Sequence, residues 1–358
     1  MRSISFHFMR TLGVCAFAAI IAAGTSVFAR PPLGQDPNYR PPQGQTQGQA
    51  PQGDKAPEIP EEERQALAKI NTALDATTKL QAADEYVKKY PKSPRRADVA
   101  QHVASEIVKL EDPAQMAGLL ENFMTVFNEP KEAELVILNL MDAYVKANRI
   151  DDAFGKASSY LEKNPNDVAT LTQMALVGAD QIKRQNGKYA EQSQTFGMKA
   201  IQLIEADSRP ESIDVAKWLD YQTQWLPQLY QSMGLISYAM SNKADAKMKL
   251  EKSAALKSSD PFTYLLLSIV ANDEYKELAE QHKTTSDGPA KEELLKKAHA
   301  KMDEVIELYA HVIALSAGNP QYQQLHDEIM QDFESYYKYR HNGSTDGMQG
   351  MIDKYKKP

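Results

Sequence analysis

The 358-residue chain has one cysteine, Cys15, which excludes a disulfide framework and any cysteine-rich zinc or iron–sulfur centre. Aromatic residues make up only 8%, with two tryptophans. Basic side chains are outnumbered, 41 Lys and Arg against 48 Asp and Glu, for a formal charge of -7. A nucleic-acid binder would carry a basic stripe or patch, so that class is set aside. Catalytic signatures are missing too: there is no His-Glu-x-x-His helix, no phosphate-cradling Gly-rich loop ending in Lys-Ser or Lys-Thr, and no Gly-x-Ser-x-Gly elbow. Proline is scarce past residue 60, because eight of the nineteen lie between Arg30 and Pro60. Residues 61–358 show no convincing two-residue alternation, so no strand is predicted there.

The N-terminus reads as an address. Arg2 and Arg10 open the chain, no acidic residue precedes Asp36, and Leu12 to Val27 is apolar or small. This pattern, ending Val27-Phe28-Ala29 before Arg30, predicts a secretory signal peptide over residues 1–29. The apolar run is slightly short of the about 20 residues that span a bilayer, so no stable membrane insertion is expected after its removal. Leu12-Gly13-Val14-Cys15 imitates a lipobox, but most of the apolar run follows the cysteine instead of preceding it. The expected location is periplasmic or secreted. Residues 30–60, with Pro41-Pro42-Gln43-Gly44-Gln45 at their centre, have almost nothing apolar to bury and read as a disordered, solvated tether.

From Pro60 onward helical periodicity recurs. Ile150, Ala153, Phe154, Ala157, Tyr160 and Leu161 line one face of a predicted helix, and Asn164-Pro165-Asn166-Asp167 ends it and caps the next. The stretch Ala133 to Ala147 is apolar on more sides and predicts an inner helix, turning at Asn148-Arg149 into the outer one. Helix pairs are expected to start near residues 61, 94, 131, 166, 211, 260 and 319. The later, longer units are expected to lengthen their helices or to insert Gln281 to Pro289. A near-constant early period implies stacked units that share one core, each too small to stand alone.

Leu140, Tyr144, Ala153 and Pro165 match the spacing of the tetratricopeptide repeat, a helix–turn–helix unit of 34 residues. Shifting by that period brings Leu171 and Met174 onto Ile137 and Leu140. Tyr230, Met233, Gly234 and Ala246 fit again, followed by Tyr264, Leu267 and Ser268, and Tyr86 to Pro94 is similar to the family's unit ends in bacterial envelope proteins. Residues 61–320 therefore resemble a tetratricopeptide-like exported bacterial protein. The resemblance implies an all-α fold, an α-α superhelix or solenoid of stacked antiparallel hairpins over 61–337, whose first helices line a concave partner-binding side. The family's carboxylate clamp uses Lys and Asn; the corresponding positions here are Leu138 and Asp142, Gln231 and Leu235, Leu265 and Ile269.

His299, Asp303, Glu307 and His311 step by four along one predicted helix, but each step turns about 400°, so the ends diverge and no metal site is expected. Glu334-Ser335 followed by Gly347-Met348-Gln349 brushes against the lytic transglycosylase signature, with the spacing short and only nine residues following. Trp218, Tyr221 and Trp225 form an aromatic stripe, read as core or as a groove wall. Residues 338–358 carry Lys338, Arg340, Lys354, Lys356 and Lys357 against Asp346 and Asp353, a basic capping segment. The reading adopted is a non-enzymatic scaffold with neither cofactor nor metal, binding a protein or peptide partner, for which the acidic balance favours a basic one, with Tyr221, Trp225, Gln231, Leu235 and Tyr238 as candidate contacts. The alternatives are a small-ligand pocket between the long helices near Trp218, and a cell-wall glycan-acting enzyme with Glu334 as acid.

Overall fold

The computed structural model describes residues 59–256 and 259–356; the expected signal peptide, Cys15 and the tether through residue 58 lie outside the described residues. Among the described residues the fold is all-α, with fifteen α-helices, one 3-10 turn and no strand. The chain divides into two compact units, with the division at Thr170/Leu171.

The first unit contains α1 (Glu61–Thr72), α2 (Ala76–Lys89), α3 (Arg96–Ile107), α4 (Pro113–Val126), α5 (Pro130–Glu134), α6 (Ile137–Lys146) and α7 (Ile150–Lys163). Its helix starts are written in short polar residues. Asp75 and Thr78 form a reciprocal capping box on α2, and Asp112 accepts from the Ala114 and Gln115 amides ahead of α4, with Pro113 in the first helical position. The expected single helix from Ala133 to Ala147 is instead broken into α5 and α6. Beside the break, Arg96 of α3 holds Glu132 of α5 through two hydrogen bonds, and Val136 is fully buried at the joint. Leu120, Phe123, Phe127, Leu140, Met141 and Phe154 fill the interior.

The second unit begins within α8 (Val168–Lys183) and continues through α9 (Ala190–Glu205), α10 (Val215–Ala239), α11 (Lys243–Ala255), α12 (Pro261–Thr284) and α13 (Pro289–Ser316). A 3-10 turn (Pro320–Tyr322), α14 (Gln323–Arg340) and α15 (Met348–Asp353) close it. The turn expected within Gln281–Pro289 falls at residues 285–288, between α12, which runs on to Thr284, and α13, which starts at Pro289; the rest of the added length is helix. Asp260 accepts from the Phe262 amide and Pro261 takes the first helical position, fixing where α12 begins.

The first helices of successive pairs begin at residues 61, 96, 130, 168, 215, 261 and 323, each within four residues of the start expected from the sequence. Five helices end on a residue with left-handed backbone, Asn148, Gln185, Asp207, Ser241 and Asn342. In each case the next amide reaches back to a carbonyl in the last turn, as Arg149 does to Tyr144 and Asn242 to Ser237. This closure satisfies carbonyls the helix leaves open and reverses the chain in few residues. Four of these turns join the helices of one pair, and the one at Asp207 leads from α9 towards the next pair.

Candidate functional site

The five candidate contacts all lie on α10, in the second unit. Tyr221, Trp225 and Leu235 are buried there. Trp218 stacks on Tyr221 with ring centroids 5.5 Å apart, and Tyr221 meets Trp225 at 6.2 Å. The Trp218 indole donates to Asp207 at 2.7 Å, and the Tyr221 hydroxyl donates to Thr172 at 2.8 Å. The aromatic stripe is therefore core, with its polar tips satisfied inside the unit. Trp218, offered as the wall of a small-ligand pocket, is closed over.

Gln231 and Tyr238 are half-buried, and each reaches across to α12. Gln231 Nε2 donates to Asp260 Oδ2 at 3.0 Å and to Thr263 Oγ1 at 2.8 Å. Tyr238 donates to Asp273 Oδ2 at 2.7 Å; burial, then the Asp273 carboxylate, pushes its pKa well above the ordinary phenol value. The two rungs connect residues 32 and 35 positions apart and advance in the same direction, so α10 and α12 run parallel. At the residue just before Asp273 on α12, Asn272 accepts from Tyr336 of α14 at 2.8 Å. Near the start of α12, the Lys183 amine of α8 forms no ion pair among the described residues. Burial pulls its pKa down against the opposing charges of Asp180 and Asp260.

Behind these rungs lies a buried polar core. Lys249 is 4% exposed and donates to Asp245 at 2.5 Å and to Ser237 at 3.0 Å. Burial raises the Asp245 carboxyl, but the hydrogen bonds from Lys249 and Ser237 outweigh it and hold the group below the usual carboxylate value. Between α9, α10 and α11 a cavity of about 420 Å³ is lined by Met198, Ile201, Tyr230, Met248 and Lys252. Tyr230 donates to Glu205 at its rim, and Lys252 lies over the Tyr230 ring.

The four-residue ladder on α13 is dispersed among separate partners. Asp303 takes two hydrogen bonds from Arg340, Glu307 accepts from Lys354 and Tyr355, and His311 is stacked between Tyr264 and Tyr355. His299 opens into a shallow cavity of about 460 Å³ beside Lys296 and Arg340. Among the described residues no group of three or more His, Cys, Asp or Glu is placed to hold a metal ion. Glu334 is paired with Lys338 one turn along α14. The cations of the basic C-terminal segment face carboxylates as well, Arg340 on Asp303, Lys354 on Glu307 and Lys356 on Asp353.

Three side chains that sequence reasoning passed over lie on α13 and α14. Glu328 and Asp332 lie one turn apart on α14 and, among the described residues, neither forms an ion pair; Tyr309 is buried on α13, where burial and the charge of Asp332 raise its pKa. A like-charge pair at i and i+4 opposes helix formation, and that was the signal available in the sequence. No protein-family model and no curated protein matches the chain.

Proposed function

We propose that the chain is a non-enzymatic, tetratricopeptide-like scaffold, in which hairpins stack within each unit as an α-α superhelix and first helices form the side that a protein or peptide partner meets. The observation that carries this reading is the register of the cross-links between first helices. Gln231 to Thr263 and Tyr238 to Asp273 span 32 and 35 residues, and Arg96 of α3 to Glu132 of α5 spans 36. Each joins like helices one repeat apart, close to the 34-residue period of the family. Parallel first helices tied side by side present their half-exposed polar tips at fixed separations. That geometry suits recognition of an extended or helical segment.

Gln231 and Tyr238 are the contacts retained for this role, since Tyr221, Trp225 and Leu235 are taken up in packing. The chain's acidic balance speeds encounters with basic partners. Export through the N-terminal segment belongs to the same proposal; among the described residues no helix is long and apolar enough to cross a membrane. Intact-mass measurement of the protein recovered from its native cell checks that part, with a chain beginning at Arg30 as the expected species.

The test is a photo-crosslinking side chain placed in turn at Gln231 and at Tyr238 in the full chain, expressed in its native cell. The same substitution at Lys163, which ends α7, serves as a control. One recurrent adduct from the two α10 positions, absent from Lys163, is expected. Adducts that do not recur, or that form equally at Lys163, count against the reading. The methionine-lined cavity at Tyr230 supports a second, small-ligand reading. A metabolite that quenches tryptophan emission in the wild type but not after Met198→Trp fills that cavity would favour it.

A further inference from the structure

The last element of the second unit is small and held by few contacts. α15 has six residues, too few to persist without tertiary support, and of these only Ile352 is buried. The turn before it passes through three residues with left-handed backbone, Asn342, Gly343 and Gly347, and the Tyr337 hydroxyl donates to the Asp346 carbonyl at 2.5 Å. Past α15 the tail grips α13. Glu307 accepts from Lys354 at 2.6 Å and from the Tyr355 hydroxyl, and the Tyr355 ring stacks on His311.

His311 is enclosed by this grip. Tyr264 of α12 lies at 3.6 Å and Tyr355 of the tail at 4.2 Å. The charges acting on the imidazole are Glu307 of its own helix and Lys354 of the tail; among the described residues none comes from α14. Burial raises both phenols, so neither titrates in acid. Burial also pulls the imidazole down to about 4, with Glu307 opposing and Lys354 adding. Two of the obstacles to a proton, the Tyr355 ring and the Lys354 ammonium, leave with the tail. Glu307, which favours the imidazolium, stays on α13. A docked tail and a protonated His311 therefore oppose one another.

We infer that residues 344–356 form an acid-released strap, which lies on α13 while His311 is neutral and lifts from it when the imidazole takes a proton. Lifting uncovers the Tyr264 ring on α12 and frees Glu307, so acid changes the surface of the unit without unfolding it. The hydrogen bonds from Lys354 and Tyr355 hold the Glu307 carboxyl below its ordinary 4.5, so above that value the response belongs to the histidine. The strap does not depend on the scaffold reading.

The test is amide hydrogen exchange of the full chain at pH 7.5 and pH 5, corrected for the chemical exchange rate and compared with His311→Phe. The amides of Met351, Lys354 and Tyr355, which donate to Gly347, Gly350 and Ile352, report the strap, and those of α10 report the rest of the unit. With a released imidazole near its ordinary 6.5 and a docked one at about 4, protection of the strap should fall by about tenfold, and at most about thirtyfold, between the two pH values. In His311→Phe that fall should be absent, and α10 should keep its protection in both proteins. Tyr355→Leu is the second variant, expected to lower strap protection already at pH 7.5 and to let His311 titrate at higher pH by NMR. Should His311→Phe not fold, Tyr355→Leu decides alone. An unprotected tail at pH 7.5, the same fall in wild type and His311→Phe, or an equal fall in α10 overturns the strap. So does a Tyr355→Leu protein with wild-type protection and a wild-type histidine titration.

Discussion

Arg96 and Glu132 form a two-pronged ion pair in the first unit, with Nε to Oε1 at 2.7 Å and Nη2 to Oε2 at 2.9 Å. Their side chains are only 11% and 7% exposed, so water screens the pair little. Removing one partner from a buried pair strands the other charge and costs about 3–5 kcal/mol, whereas replacing both with apolar groups of similar size is close to neutral. Arg96→Ala should therefore destabilise the first unit strongly, and Arg96→Met with Glu132→Leu should restore most of the loss. Both tryptophans, Trp218 and Trp225, lie in the second unit. In urea, the Arg96→Ala transition should move to lower concentration by circular dichroism while tryptophan emission changes at its usual midpoint. A shared shift in both signals would show that the pair matters to the whole chain at once.

Gly234 allows α10 to approach α11. A Cβ built there would lie 2.6 Å from Leu250 Cγ and 3.3 Å from the Ala246 carbonyl. Gly155 on α7 has open space at the same point. Alanine is better than glycine in a helix interior by about 1 kcal/mol, while forcing atoms into a packed crossing costs about 1–3 kcal/mol. Gly155→Ala should thus raise the melting temperature and Gly234→Ala lower it. The same sign for both would remove the close crossing from the explanation.

That crossing had a signal in the sequence, since Gly234 and Ala246 are two of the residues on which the resemblance to the tetratricopeptide spacing rests. Its counterpart at Gly178 had none. A Cβ there would sit 1.7 Å from Ser193 Oγ, and nothing in the local sequence marks Ser193 as the facing residue. Helix pairs could be read because periodicity, Asp-Pro starts and Asn or Ser ends are local signals. The division of Ala133–Ala147, next to which Arg96 of a different pair holds Glu132, escaped periodicity, which reads only local spacing. The site fared worse for the same reason. Spacing places Tyr221, Trp225 and Leu235 on α10, but whether a stripe faces a partner or a neighbouring helix is settled by packing from α8, α9 and α11. Glu328 and Asp332 look like ordinary solvated acids in the sequence, yet Glu328 Oε2 is shut off from water and burial raises the Asp332 pKa.

Lys249 depends on Asp245 in the way Glu132 depends on Arg96. The amine is 4% exposed and its carboxylate partner is one turn away at 2.5 Å. Asp245→Ala leaves the ammonium with Ser237 alone, and a loss of about 3 kcal/mol is expected, read by tryptophan emission in urea. Lys249→Met should cost less, because the Asp245 side chain is 24% exposed and can turn to water. The folded carboxyl lies below its ordinary value of 3.8, so its contribution is present above that pH and is lost as pH falls through the folded value. Equal losses for the two substitutions would contradict the burial argument.

His311 gives the second unit a further dependence on pH. Its ring lies between Tyr264 of α12 at 3.6 Å and Tyr355 at 4.2 Å, with Glu307 and Lys354 as its charged neighbours. Burial pulls its pKa from 6.5 to about 4, Glu307 opposes that pull, and Lys354 adds to it. Between those two values the unfolded chain binds a proton that the folded chain does not. Stability must then fall as pH is lowered from about 6.5 towards about 4, and the loss is complete below the folded value. Many carboxylates titrate near the lower end, so the comparison is with His311→Phe, which keeps a flat ring between the two tyrosines and binds no proton. The urea midpoint of the wild type should decline relative to that of His311→Phe across the window and run parallel to it above pH 7. Parallel curves throughout would mean that the imidazole takes its proton as easily in the folded chain as in the unfolded one.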